Sequence, residues 1–151
     1  MTRFTTILCA LALATPALAE TRLERMERLS IASQMKVFAT MPGGIPADID
    51  ARKTLAWTPE LREKAGCMLD EHDARIGTDG VDQMLDEMEA FLERDFTDFE
   101  TASTEMGEIA PDIPEADSDA IQAKCGFTEA YVARLMSSDL MMALIRSGAM
   151  N

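Results

Sequence analysis

Two cysteines, Cys67 and Cys125, limit the folds open to this chain more than any other feature. A third, Cys9, lies in the N-terminal stretch MTRFTTILCALALATPALA. There Arg3 supplies a short positive region, Ile7 to Ala14 an apolar run, Pro16 a break and Ala17-Leu18-Ala19 a small-x-small cleavage site. These are the parts of a secretory signal peptide, with cleavage expected after Ala19. The apolar run falls short of the ~20 residues that span a bilayer, so a retained membrane anchor fits less well. The Thr6-Ile7-Leu8 that precedes Cys9 lacks the small residue expected before a lipid-modified cysteine. Cleavage would remove Cys9 and leave an even pair in a periplasmic or secreted protein, where thiols are oxidised. The expectation is one Cys67–Cys125 disulfide.

That tether joins positions 58 apart. In the chain-entropy picture it stabilises the fold by about 4 kcal/mol, less any strain. Removing 19 of 151 residues leaves 132, enough for one core and short for two. The domain expected is therefore 20–151.

Around Cys67 the sequence reads as a helix. Thr58 is an N-cap residue, Pro59 suits the first helical position, Glu60 and Glu63 complement the dipole, and Gly77 is a natural stop. Leu61, Ala65, Met68, Leu69, His72 and Ile76 share one face. At ~100° per residue Cys67 points away from that face, beside Glu60, Glu63 and Ala74. A disulfide there requires a partner on a second side of the helix, which makes it a middle layer.

Other helices flank it. From Thr21 to Met41, Leu23, Met26, Ile31, Val37, Phe38 and Met41 fall on one side, with Ser30 and Gln34 among them. Glu24 and Arg28 stand at pairing distance on that helix. Pro42-Gly43-Gly44 ends it. Residues 46–56 read as a short helix opened by Pro46. Beyond a turn at Thr78-Asp79-Gly80, an amphipathic stripe runs from Val81 through Met84, Leu85, Met88, Phe91, Leu92 and Phe96 to Phe99. Asp95 falls inside that stripe. Residues 107–117 form a loop with two prolines; Asp117 or Ser118 caps a helix carrying Ile121 and Cys125, with a kink or break at Gly126. Phe127 to Ile145 reads as one helix that is apolar on most sides. Alternating strand patterns and hairpin turn pairs are missing from the sequence. The expectation is an all-α, single-domain bundle of about four main helices.

Charge narrows function. Without Arg3, 14 basic residues become 13 against 27 acidic ones, a balance of −14. Such a surface repels phosphate backbones and anionic membranes, so nucleic-acid binding is not expected. No later apolar run is long and uncharged enough to span a bilayer, so no membrane anchor is expected after cleavage. A protein partner with a cationic or apolar surface fits better. The acidic run from Asp79 to Asp117, relieved only by Arg94, reads as a solvated face.

No catalytic set emerges. The sole His, His72, sits beside Asp70, Glu71 and Asp73 with no zinc spacing. Setting Gly77 or Gly80 at the sixth position of a calcium loop puts His72 or Arg75 first and Gln83 or Asp86 last, which fails the pattern. No elbow surrounds any serine. Cys-x-x-Cys-His, the haem-attachment signature, does not occur.

Three functions are left. The first is a non-catalytic exported accessory or chaperone-like factor that binds another protein through Leu135, Met136, Leu140, Met141 and Leu144. The second is a metal or haem carrier. His72 with Met84 or Met88 on a facing helix could ligate a haem, and thioether pairs such as Met84 with Met88 or Met141 with Met142 could hold monovalent copper. Core packing is the plainer reading of these methionines, so neither a metal nor a cofactor is expected. The third is an enzyme with a carboxylate site, for which the sequence names no residue set.

Overall fold

The computed structural model describes residues 20–148. The signal-peptide reading concerns residues 1–19 and lies outside them. The described residues are all-α, with seven helices and the expected disulfide.

Helix α1 (Arg22–Ala39) opens on a reciprocal cap. The Thr21 hydroxyl accepts from the Glu24 amide at 3.2 Å, and the Glu24 carboxylate accepts from the Thr21 amide at 2.8 Å. Glu24 is thus committed to the cap. Arg28, expected to pair with it, donates instead to Glu20 and Glu89. Helix α2 (Ala51–Leu55) starts later than Pro46 suggested, because Asp50 caps it by accepting from the Lys53 amide at 3.0 Å.

Helix α3 (Pro59–Glu93) begins as its signals require, with Thr58 accepting from the Leu61 amide. It breaks at Gly77, where φ is 71° and ψ 171°, a backbone open almost only to glycine. The chain folds back there. Glu27 of α1 lies beside Trp57 and Arg62, while Arg22 and Leu23 share a cleft with Leu69, Asp70 and Asp73, so the first arm runs against α1. Arg22 then meets Asp82, Arg25 meets Asp86 and Glu89, and Lys36 reaches the Leu92 carbonyl, so the second arm runs with α1. Gly80 closes the turn: a Cβ there would lie 2.8 Å from the Ile76 Cβ.

The expected bundle of about four main helices is, among the described residues, corrected to seven helices, because local caps interrupt the patterns after Glu93 and α3 runs on through the kink at Gly77. The stripe expected to reach Phe99 stops at Glu93, and Phe96 leaves the helix to stack on Phe91 at 4.9 Å. Asp98 then caps α4 (Phe99–Glu108) by accepting from the Thr101 amide at 2.8 Å. Helix α5 (Glu115–Cys125) begins after Pro114 rather than at Asp117 or Ser118. Gly126, left-handed at φ 62°, separates it from α6 (Phe127–Met136). The single helix expected through Ile145 is cut by Ser138, which caps α7 (Asp139–Arg146) by accepting from the Met141 amide.

Helices α1 and α3 are the centre. The main core joins Leu29 of α1, Leu61, Ala65, Leu69, Val81 and Leu85 of α3, and Ile121 and Phe127 of α5 and α6. Trp57 meets Phe127 edge-on at 5.0 Å. The disulfide draws α5 onto α3 with Cα atoms 5.7 Å apart, so α3 is packed by α1 and by α5 and α6. A second core sets Ile31, Phe38 and Met41 of α1 with Ala51 and Leu55 of α2 and Leu140 and Leu144 of α7. A third joins Val37, Phe91 and Ala102.

A sulfur-lined candidate site at His72

The candidate cavity lies where five helices meet, with a volume of about 340 Å³. Helix α1 contributes Met26, Ser30, Ser33 and Gln34; the first arm of α3 gives Met68 and His72, and the second gives Met84 and Met88. Met106 of α4 and the Ile109-Ala110-Pro111 turn close one side, while Ser118, Gln122, Phe127 and Thr128 close another. Folding back at Gly77 is what sets His72 against Met84 and Met88.

Its lining is rich in sulfur and free of charged residues. Five of the lining side chains are thioethers, and none of the lining residues is Asp, Glu, Lys or Arg. His72 is 5% exposed, and burial holds its pKa below the ordinary 6.5, helped by the charge of Arg75. The imidazole is therefore neutral at neutral pH. Its Nδ1 and the Ser33 hydroxyl are both buried without a hydrogen-bond partner. A group left so typically costs about 1–3 kcal/mol, which apolar packing alone does not recover. Around them the polar groups are loosely tied: Thr128 donates to Gln122 at 2.7 Å, and the Gln122 amide approaches the Met68 sulfur at 3.8 Å. Two other unpartnered buried atoms, Trp57 Nε1 and the Tyr131 hydroxyl, belong to the aromatic stack beside the cavity. Burial pushes the Tyr131 hydroxyl pKa up to about 12.

A second cleft adjoins it, lined by Ile76, Gly80, Gln83, Glu87 and Asp112 and sharing Met84, Ala110 and Pro111 with the cavity. That cleft sets Glu87 and Asp112 on the same wall as Met84.

The residues singled out in the sequence divide. His72, Met84 and Met88 come together on the cavity wall. Met141 and Met142 part, the first buried in α7 and the second exposed. The five-residue partner surface is corrected. Leu140 and Leu144 are fully buried and Met141 is 5% exposed, because α7 drops its apolar face between α1 and α2. Leu135 packs at the edge of the same core, and of the five only Met136 is exposed. Asp95 is exposed between helices. Among the described residues no group of three His, Cys, Asp or Glu side chains could hold a metal ion, and no helix is long and apolar enough to cross a membrane.

The cavity's other members were harder to find. Met26, Met68 and Met106 looked like core or nothing. The available signal was Ser30 and Gln34 on the apolar side of α1, polar residues where a plain core has no use for them. Set against protein-family models, curated proteins and solved structures, the chain matches none.

Proposed function

We propose that the chain is an exported, non-catalytic binding protein that carries a small ligand in the cavity at His72. The observation behind this reading is a neutral, buried imidazole with an unpartnered Nδ1 set in a cavity of ligand-binding size that has no charged lining. Such a lining disfavours anionic ligands. A haem in particular brings carboxylates, and no Arg or Lys lines the wall to meet them. Export is supported by the Cys67–Cys125 disulfide, a bond that persists outside the cytosol.

Trp57 packs on Phe127, a wall residue, so its emission should report occupancy. Titration of the processed chain with N-phenyl-1-naphthylamine, a neutral apolar probe, should change Trp57 emission at one equivalent. Ser30→Phe, at a partly exposed wall position, should abolish that change while leaving the thermal midpoint within a few degrees. Binding that survives Ser30→Phe would place the ligand elsewhere.

A second reading has its own support. Val132 and Met136 on one face of α6, and Met142 and Ile145 on α7, are each about half exposed. These residues replace the buried ones as the surface for a protein partner. Met136→Ser with Ile145→Ser should weaken an association seen by reversible crosslinking without lowering the thermal midpoint; an unchanged crosslinking pattern would remove this surface from consideration.

A further inference from the structure

We propose that the cavity at His72 is a copper(I) site, in which the imidazole and thioethers drawn from Met68, Met84 and Met88 hold one ion. The proposal rests on reading that cavity as the binding site and names its ligand.

The donor set selects the metal. Thioethers are soft, uncharged and weak toward hard cations, and soft ligands favour copper(I). No carboxylate or thiolate lines the wall, so an ion here keeps its full charge in a site with no anionic ligand. The electrostatic cost of burying an ion grows with the square of its charge. A monovalent ion is therefore tolerated where zinc or calcium, each also short of its usual ligands, is not. His72 adds a neutral imidazole whose Nδ1 has no protein partner.

Concentration of sulfur is the second argument. Five of the eleven methionines that follow the signal peptide line this one cavity, and they arrive from three helices, α1, α3 and α4. Methionine is unbranched and adaptable, so thioethers from separate helices can converge on a small ion. A core filled for packing alone has no need of a neutral histidine among them.

The surroundings favour approach of a cation. The adjoining cleft carries Glu87 and Asp112 and shares Met84 with the cavity, so carboxylates stand near the sulfur cluster without entering it. The strongly acidic chain raises the local concentration of cations generally. Both cysteines near the site are joined to each other, which leaves thioether and imidazole as the soft donors that an oxidising compartment does not tie up in disulfides.

The test uses the processed, oxidised chain without thiol reductant, so that the disulfide stays closed. Copper(I), supplied anaerobically as its acetonitrile complex, is titrated in competition with bicinchoninate, and the methionine methyl signals are followed by NMR. One ion per chain is expected, shifting the methyls of Met68, Met84 and Met88 and sparing the exposed Met136 and Met142. Met84→Leu with Met88→Leu, which nearly conserves volume, should weaken binding at least about tenfold. His72→Asn should weaken it similarly, with zinc(II) failing to compete. The methyl shifts in the unaltered chain decide the matter even if a variant misfolds. Copper(I) left with bicinchoninate, or shifts confined to Met136 and Met142, would overturn the proposal. If the naphthylamine probe still binds in that case, the cavity stands as a site for an apolar molecule; if neither enters, both readings fall.

Discussion

Glu27 is the charged side chain that the fold buries, at 9% exposure. Its carboxylate accepts from the Trp57 amide at 3.1 Å and from Arg62 Nε at 2.7 Å, so α1 holds the entry to α3. The two bonds are unequal. The amide is buried and makes no other hydrogen bond among the described residues, whereas the Arg62 side chain is 57% exposed and can return to water. Removing the carboxylate strands the amide; removing the guanidinium leaves a buried carboxylate without its cation. Glu27→Gln, which keeps an acceptor for the amide and drops the charge, should therefore cost less in urea unfolding than Glu27→Ala, which should cost about 2 kcal/mol. Equal costs would mean that the ion pair, not the amide, is what matters. Nothing in the sequence singled out Glu27, which falls on α1 among ordinary surface charges. Its role depends on where Trp57 lands, 30 residues away. Thr58, Pro59 and Thr21 were legible for the opposite reason, since each acts on amides within three residues of itself.

At the scale of elements the same contrast holds. The basic residues Arg22, Arg25 and Arg28 and the acidic run after Asp79 were both visible, and the run was read as a solvated face, but their pairing was not visible. The acidic side chains stay largely exposed, and the reversal at Gly77 lays the first turns of the run along α1. Arg22 clasps Asp82 at 2.7 and 3.0 Å, Arg25 bridges Asp86 and Glu89, and Arg28 reaches Glu89 at 3.0 Å. Hydrogen bonds from Arg22 hold the Asp82 pKa below its ordinary 3.8, and those from Arg25 and Arg28 hold Glu89 below 4.5. A carboxylate with a lowered pKa in the fold stabilises it fully above the ordinary value. It loses that contribution as pH falls through the lowered one. The unfolding midpoint should thus stay level above about pH 5 and fall below pH 4. A variant with all three arginines changed to Gln should show a shallower acid limb, and added salt should shrink the difference, since these groups are exposed. Parallel limbs would show that the seam adds no pH-dependent stability. Helix α4 was missed at this scale because its sequence, FETASTEMGE, buries only Ala102 fully and offers no stripe to read. The Asp98 cap was its one signal, and it was hidden by running the previous stripe through Phe99.

For the whole molecule, the all-α class and the Cys67–Cys125 pairing were legible because each followed from the sequence with few alternatives. There was no strand pattern, and reading residues 1–19 as a leader left two cysteines with only each other. The cavity was not legible, because its wall is assembled from residues 26 to 128, and spacing along a chain does not say which methionines meet. The disulfide connects these two results. Cys67 precedes Met68 and Cys125 follows Gln122 by three residues, so the bond fixes α5 against the arm of α3 that carries His72. Opening it restores the freedom of a 58-residue separation to the unfolded chain, worth about 4 kcal/mol in the entropy model. It also removes the clamp on one wall of the cavity, where the other ties between α3 and α5 include the Lys124–Glu71 and Arg75–Asp117 ion pairs, the Gln122–Met68 contact and the packing of Ile121. Exposed ion pairs of this kind contribute little. Cys67→Ser with Cys125→Ser should therefore lower the thermal midpoint by roughly 10–20 °C. It should also weaken naphthylamine binding at temperatures where the variant is still folded. Loss of stability with binding intact would make the tether a matter of the unfolded chain alone, and would leave α1 and the two arms of α3 as the elements that shape the cavity.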